Sequence, residues 1–373
     1  MIIKNVQVFR EDGKFYHGEI GIESGIFTEA SSADGEILDG QGMLAIPGLI
    51  DIHFHGCAGA DFCDADPDGL LRIAEYESSV GITSICPASM TVSEAELHKI
   101  MQMAAAYKAD KGAHFVGINM EGPFISAKKK GAQAAENIRN CDEALFRVLQ
   151  KEAGGLIKLV DIAPETPGAM KFIEALKNEV VISIAHTTAD YENALHALQR
   201  GASHITHLYN AMPEFSHRAP GVVGAALDSE DCRVELICDG IHIHPAVVRA
   251  TFKMFGAERI VMISDSMRAT GLSDGRYTLG GQDVVVKGAR ATLDDGTIAG
   301  SVTNLMECMK TAVQKMKIPL EEAIICSSAN PAKAIGIYDK YGSIAPGKMA
   351  DLVLLDQELN VKAVYVGGKL QKR

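Results

Sequence analysis

The sequence lacks what would send it to a membrane, an export route or a nucleic acid. No apolar run approaches the ~20 residues needed to span a bilayer. The opening residues Met1-Ile2-Ile3-Lys4-Asn5-Val6 carry no long apolar core of the signal-peptide kind. Positive charge is scarce. Lys and Arg number 36 against 48 Asp and Glu, a formal net charge of −12. Such a chain is a poor binder of nucleic acid and is not drawn to anionic membranes. Any anionic ligand has to be met by a local cationic cluster. The eight cysteines form no CxxC pair and no regular spacing: Cys57 and Cys63 are close, the rest scattered. Free, mostly buried thiols in a reducing compartment fit that usage. There is no low-complexity linker and no repeat of solenoid length. The expectation is a soluble cytoplasmic protein.

What the chain does have is apolar residues, 47% of 373, enough for a large core and more than one domain. From residue 45 onward, short apolar runs alternate with longer amphipathic ones. The runs fall at 45–52, 81–86, 115–120, 156–162, 180–185, 204–208, 234–238 and 259–263. Consecutive Val, Ile and Leu over so few residues read as strands buried on both faces, as in a parallel sheet. Helical spacing covers 92–109, where Ser93 and Glu96 form a capping-box pattern. It also covers 191–200, ending at Gly201, and 245–255, which starts on proline and ends at Gly256. Eight strand–helix units predict an α/β fold, a (β/α)₈ TIM-like barrel over 45–341, with its active site at the C-terminal ends of the strands. The ends differ. Residues 1–44 and 342–373 hold short strand-like pieces and are expected to pair into one small β-sandwich domain. Residues 272–298 read as a hairpin insertion with turns at Gly280-Gly281 and Asp294-Asp295-Gly296.

The first run leads into His53-Phe54-His55-Gly56. Residues two apart on a strand project to one face, so both imidazoles can reach one point where the strand opens into a loop. That can hold a metal, or be two polar residues at a strand end. A lone histidine is more often structural than a ligand. Here, however, Glu121, His186, His207, Asp239 and Asp265 stand at the ends of further runs, so six strands each offer a ligand or an acid/base group to one face. Histidine and carboxylate ligands without cysteine suit Zn²⁺ or Fe²⁺. An open position on such an ion lowers the pKa of bound water toward about 7. Asp265, after the last run, can take that water's proton and pass it to a leaving group. The chemistry expected is hydrolysis of an amide or a similar C–N bond.

The motifs extend nearly end to end: PGLIDIHFHG (47–56), GINMEGPF (117–124), AHTTAD (185–190), THLYNAM (206–212), HRAPGVVGAAL (217–227), CDGIHIHP (238–245), SDSMRATG (264–271), DGTIAGS (295–301) and PGKMADLV (346–353). With them the chain resembles the amidohydrolase superfamily and, within it, the N-acetylglucosamine-6-phosphate deacetylases. HxH is shared across the superfamily; EGPF with THLYNAM is far more specific. The resemblance implies a principal divalent ion held by Glu121, His186 and His207. His53 and His55 supply a second position or shape the first, giving one or two ions per subunit. It implies Asp265 as the catalytic group and Asn210, Ala211, Arg218 and His242 on the sugar phosphate. Asp239 and the loop Ile298, Ala299 and Gly300 would line the sugar pocket. It further implies a homodimer in which Arg218 reaches the neighbouring site. After the Lys128-Lys129-Lys130 run, a candidate for anion contact that reads more readily as a solvated loop, these enzymes usually have Gly-Ala-His, whose histidine polarises the acetamide. This chain has Gly131-Ala132-Gln133. A glutamine amide can donate to a developing oxyanion but carries no proton or charge. An N-acetylgalactosamine 6-phosphate substrate therefore stays open. So does a cyclic amide or nucleobase, against which stand the lack of a lysine at the fourth strand's end and of HxxE after the fifth. A non-catalytic scaffold would be expected to have broken ligands, and here all are present.

Overall fold

The computed structural model describes residues 1–33 and 35–372, with the backbone alone at Lys372. Strands from the two chain ends hydrogen-bond into one eight-stranded sheet. Its order is Lys369–Lys372, Val361–Val366, Leu352–Leu355, Leu44–Pro47, Ile2–Phe9, Phe15–Glu23 and Ile26–Thr28, with Ile37–Asp39 also paired to Ile2–Phe9. Alternate residues, among them Ile3, Val8, Ile22, Phe27, Leu352 and Leu354, meet in a core of their own. Tight hairpins fit its twist. Gly367 and Gly368, at φ 54° and 73°, make the two-residue turn in which both central positions need positive φ.

The second sheet is parallel and curled. Seven strands run in the order Ala88–Ser89, Ile118–Phe124, Ile157–Ile162, Val181–Ile184, His204–Ile205, Arg233–Ile237 and Ile260–Ile263. A three-stranded parallel set, His114–Phe115, Ile82–Ile85 and Leu49–Asp51, continues the curl. A backbone bond links the two sets, from Ala88 N to Phe54 O at 2.7 Å, just beyond Leu49–Asp51. At the far side Asp265 N donates to His53 O at 3.0 Å and His55 N to Ser266 O at 2.7 Å. Ile50, Ile52, Leu159, Ile237, Val261 and Ile263 meet on the inner face, capped by Ala332 and Ile335. Outward residues pack under helices such as Glu94–Ala106 and Pro245–Phe255. The first of these begins on the expected Ser93–Glu96 capping box, the second on its proline.

Three boundaries differ from the sequence reading, one of them the run 115–120, which divides between His114–Phe115 in the smaller set and Ile118–Phe124 in the larger. The run 45–52 is not one strand. Leu44–Pro47 lies in the terminal sheet and Leu49–Asp51 in the curled one. The chain crosses between them at Gly48, where a Cβ would lie 2.0 Å from Thr83 Oγ1. The insertion at 272–298 holds three antiparallel strands, Gly275–Leu279, Gln282–Lys287 and Arg290–Thr292, rather than a hairpin. The turns at Gly280-Gly281 and Asp294-Asp295-Gly296 are as expected, the latter between the bridged residues Thr292 and Ile298, and a further turn falls at Gly288. All eight cysteines are free thiols. Among the described residues no helix is long and apolar enough to cross a membrane.

Candidate metal centre and active site

The candidate site residues gather where the parallel strands end. His53 and His55 follow Leu49–Asp51, Glu121 lies within Ile118–Phe124, and His186, His207 and Asp265 follow later strands. The last three have positive φ values of 42°, 29° and 50°. Non-glycine residues rarely stay in such conformations, which cost about 1–3 kcal/mol each, unless the surroundings hold them. Three at the end of one sheet mark the place where geometry is favoured over local comfort.

Donor atoms converge there. Glu121 Oε1 lies 2.9 Å from His186 Nε2 and 3.3 Å from His207 Nε2, and the two imidazole nitrogens are 3.1 Å apart. Ligands about 2.0–2.1 Å from a tetrahedral zinc stand about 3.3 Å from one another. His53 Nε2 is 3.5 Å from the same oxygen, while His55 Nε2 lies 3.4 Å from Glu121 Oε2 and 3.2 Å from Asp265 Oδ1. The histidine tautomers are set from outside. Nδ1 of His186 faces Lys129 O at 2.9 Å, and Nδ1 of His55 faces Ala88 O at 3.3 Å. Nδ1 of His53 faces the Glu235 carboxylate at 2.9 Å. A carbonyl or carboxylate only accepts, so each Nδ1 carries its proton and each Nε2 presents a lone pair inward.

Bare lone pairs and two carboxylates crowded together repel unless positive charge sits between them. Protons are one remedy. Burial disfavours the charged form of His53, yet Glu235 and Glu121 hold its pKa well above the usual imidazole range. Burial likewise opposes a charge on His55, and Asp265 and Glu121 raise it. Burial would push Glu121 up, but His53, His186 and His207 hold it well below the ordinary carboxylate range. Asp265 is lowered too: burial pushes it up, but the bond to His55 and the charges of His53, His55 and His207 together outweigh that. A divalent cation is the other remedy, and the donor set fits one. Both His53–Glu121–His207 and His53–His55–Asp265 offer three ligand atoms within 4.8 Å of one another.

The cavity above these groups has a volume of about 380 Å³. His55, Glu121, His186, His207 and Asp265 form its floor, and Ala132, Gln133, Asn210, Ala211, His242, Ile298 and Gly300 its wall. Gln133 is held at both ends: Thr91 N donates to its Oε1 at 2.6 Å, and its Nε2 donates to Glu121 Oε2 at 2.8 Å. Asp239 does not line the cavity. It stands behind His242, accepting from His242 Nδ1 at 2.8 Å and from the backbone N–H groups of Ile241 and His242. Ala299 is buried, and His53 lies fully buried beneath the floor. Arg218 is exposed, outside the cavity. Sequence reasoning missed Glu235, although a lone charge inside the apolar run 234–238 was a visible signal. It gave no sign of Thr91 or of the Lys129 carbonyl. Lys128 and Lys129, read as a solvated loop, line the cavity.

Comparison with known proteins agrees with this chemistry. A curated relative from Bacillus subtilis (strain 168), named N-acetylglucosamine-6-phosphate deacetylase, is 39% identical over 99% of this chain and 96% of its own. One from Escherichia coli O157:H7, named N-acetylgalactosamine-6-phosphate deacetylase, is 32% identical over 99% and 98%. The solved structure of a mutant N-acetyl-D-glucosamine-6-phosphate deacetylase from Mycobacterium smegmatis, in complex with N-acetyl-D-glucosamine-6-phosphate, superposes with a TM-score of 0.91 at 31% identity, covering 100% of this chain and 99% of that one. Residues 44–370 match the model of the amidohydrolase family, and with the strand-end histidines and carboxylates in place the chain belongs to that family.

Proposed function

We propose that this chain hydrolyses the acetamide of an N-acetyl amino-sugar 6-phosphate, N-acetylglucosamine 6-phosphate foremost, to acetate and the free amino-sugar phosphate. The observation that carries this reading is the convergence of imidazole lone pairs and two carboxylates on the floor of one cavity. Glu121, His186 and His207 would hold the principal divalent ion, Zn²⁺ or Fe²⁺, and His53 and His55 with Asp265 a second. Bound there, the ion supplies activation of water and polarisation of the acetamide carbonyl.

The chain's own groups do the rest. Asp265, ionised and at the cavity floor, takes the proton of the attacking water and returns it to the departing nitrogen. Gln133 spends one amide N–H on Glu121, which leaves the other for the acetamide oxygen. His242 faces the cavity with its Nδ1 on Asp239. Burial opposes its charge, but Asp239 raises its pKa, which favours an imidazolium beside a phosphate. Lys128 and Lys129 line the same cavity, supplying the local positive charge that an acidic chain needs for an anionic substrate.

The scaffold reads as a closed (β/α)₈ barrel that starts at Leu49 rather than at 45, with a β-sandwich domain built from the two chain ends and including Leu44–Pro47. The backbone bonds that link Phe54 to Ala88 and His53 to Asp265 support the closure. Arg218 is exposed on a loop beside Phe215, itself 46% exposed. That placement suits a homodimer in which Arg218 reaches the phosphate in the neighbouring site. Eight free thiols suit a cytoplasmic location. A second reading, the galacto epimer, is favoured by Gln133 and by the named activity of the Escherichia coli relative.

One panel tests these readings. It compares acetate release from N-acetylglucosamine and N-acetylgalactosamine, each with and without the 6-phosphate, with metal content measured in parallel. Loss of two charge-assisted bonds to phosphate, about 1.5–3 kcal/mol each, predicts a fall in kcat/KM of roughly 10²- to 10⁴-fold without it. Equal rates on both forms would remove the phosphate role of His242 and Arg218.

A further inference from the structure

Glu235 takes no direct part in the proposed reaction, yet its position is expensive. It lies in the strand Arg233–Ile237 between Val234 and Leu236, and none of it reaches solvent. A buried carboxylate is unfavourable unless its oxygens are bonded. Three donors meet this one. His53 Nδ1 is 2.9 Å from Oε2, and the backbone N–H of His207 donates to the same oxygen at 3.0 Å. His204 Nε2 lies 3.2 Å from Oε1.

Two of those donors belong to proposed cation ligands. His53 is common to both donor groups, and His207 belongs to one of them. The bond to His53 decides which of its nitrogens is free. With Nδ1–H on Glu235, Nε2 is left buried and without a hydrogen-bond partner, 3.5 Å from Glu121 Oε1. The bond to His207 acts on the backbone. That residue sits at φ 29°, which a non-glycine residue keeps only when its surroundings hold it. A carboxylate behind an imidazole also makes it a stronger electron donor to a metal.

We infer that Glu235 is a positioning residue that fixes His53 as its Nδ1–H tautomer and pins the backbone of His207, so that one buried carboxylate sets both cation positions from below. The inference rests on the metal-dependent reading above. Glu235 touches neither substrate nor the reacting atoms; it acts through the two histidines.

The test compares wild type, Glu235→Gln and Glu235→Leu. Each is stripped of metal and titrated with Zn²⁺, with ions per subunit and affinity measured and histidine tautomers read by ¹⁵N NMR in the zinc-free protein at a pH high enough to leave the imidazoles neutral. Glu235→Gln keeps the shape and one acceptor oxygen. It should retain the His53 tautomer and, lacking the charge, bind Zn²⁺ about 10-fold more weakly. Glu235→Leu should lose the tautomer and weaken binding further, toward about 100-fold. Zn²⁺ affinity within twofold of wild type in Glu235→Gln would overturn the inference, even if the leucine variant failed to fold. So would an intact Nδ1–H tautomer in a folded Glu235→Leu. A wild type that binds no divalent ion would instead overturn the metal-dependent reading and this inference with it.

Discussion

Replacing Asp265 by Asn tests the proton-transfer role with little disturbance elsewhere. Asp265 sits at φ 50°, a conformation that Asn tolerates as well as Asp does. Its backbone bonds are independent of the side chain: its N–H donates to His53 O at 3.0 Å, and its carbonyl accepts from Ser301 N at 2.7 Å. The substitution therefore leaves the closing contact of the curled sheet in place, and size and packing barely change. What disappears is a group that can accept a proton. General acid–base catalysis by one residue is worth about 10²- to 10⁴-fold. Asp265 is asked to serve twice, first as base and then as acid, so the upper end applies. A 10⁴-fold fall in kcat corresponds to about 5.4 kcal/mol of barrier. The assay is acetate release from N-acetylglucosamine 6-phosphate at saturating substrate, with Tm matched to wild type and at least one ion per subunit retained, since Asp265 also belongs to the second donor group. A variant that retains that ion and has kcat within tenfold of wild type would refute the role. A raised KM with unchanged kcat would reduce Asp265 to a binding group.

Exchanging His53 for Gln together with His55 for Asn should lower the ions bound per subunit while leaving measurable deacetylation, because Glu121, His186 and His207 remain. Loss of all metal and all activity together would make the pair part of the principal site. Gln133→Leu strips Glu121 Oε2 of a 2.8 Å bond and leaves Thr91 N without its acceptor, so stability should fall by roughly 2–4 kcal/mol; an unchanged urea midpoint would show that Gln133 holds neither. Glu77, fully buried on the helix Pro67–Ser79, has its pKa raised by burial and then by the charge of Asp51, from 4.5 to about 8. The folded state keeps a proton that the unfolded chain gives up, so stability falls as pH rises from about 4.5 to 8, by up to about 1.4 kcal/mol per pH unit. Glu77→Gln, always neutral, should therefore raise Tm relative to wild type more at pH 8 than at pH 5; a Tm difference independent of pH would count against it.

The parts legible in the sequence are those written in local pattern. Ser93 and Glu96 announce a helix start, and Pro245 with Gly256 brackets another, because caps are neighbours in the chain. Histidines and carboxylates at the ends of apolar runs could be read only together, since one alone is more often structural and six on one face are not. The passage at Gly48 was not legible. Leu44–Pro47 and Leu49–Asp51 are buried in both sheets, so hydropathy carries no mark where the chain leaves one for the other. The chemistry of the candidate site was hidden for a related reason. Whether an imidazole offers a lone pair or a proton depends on what faces its far nitrogen. For His186 and His55 that is a backbone carbonyl, of Lys129 and Ala88, and a carbonyl has no residue type to recognise. For His53 it is Glu235, 182 residues away. Sequence pattern named the candidate ligands, but the outer partners that would turn three histidines into ligands exist only once the strands stand side by side.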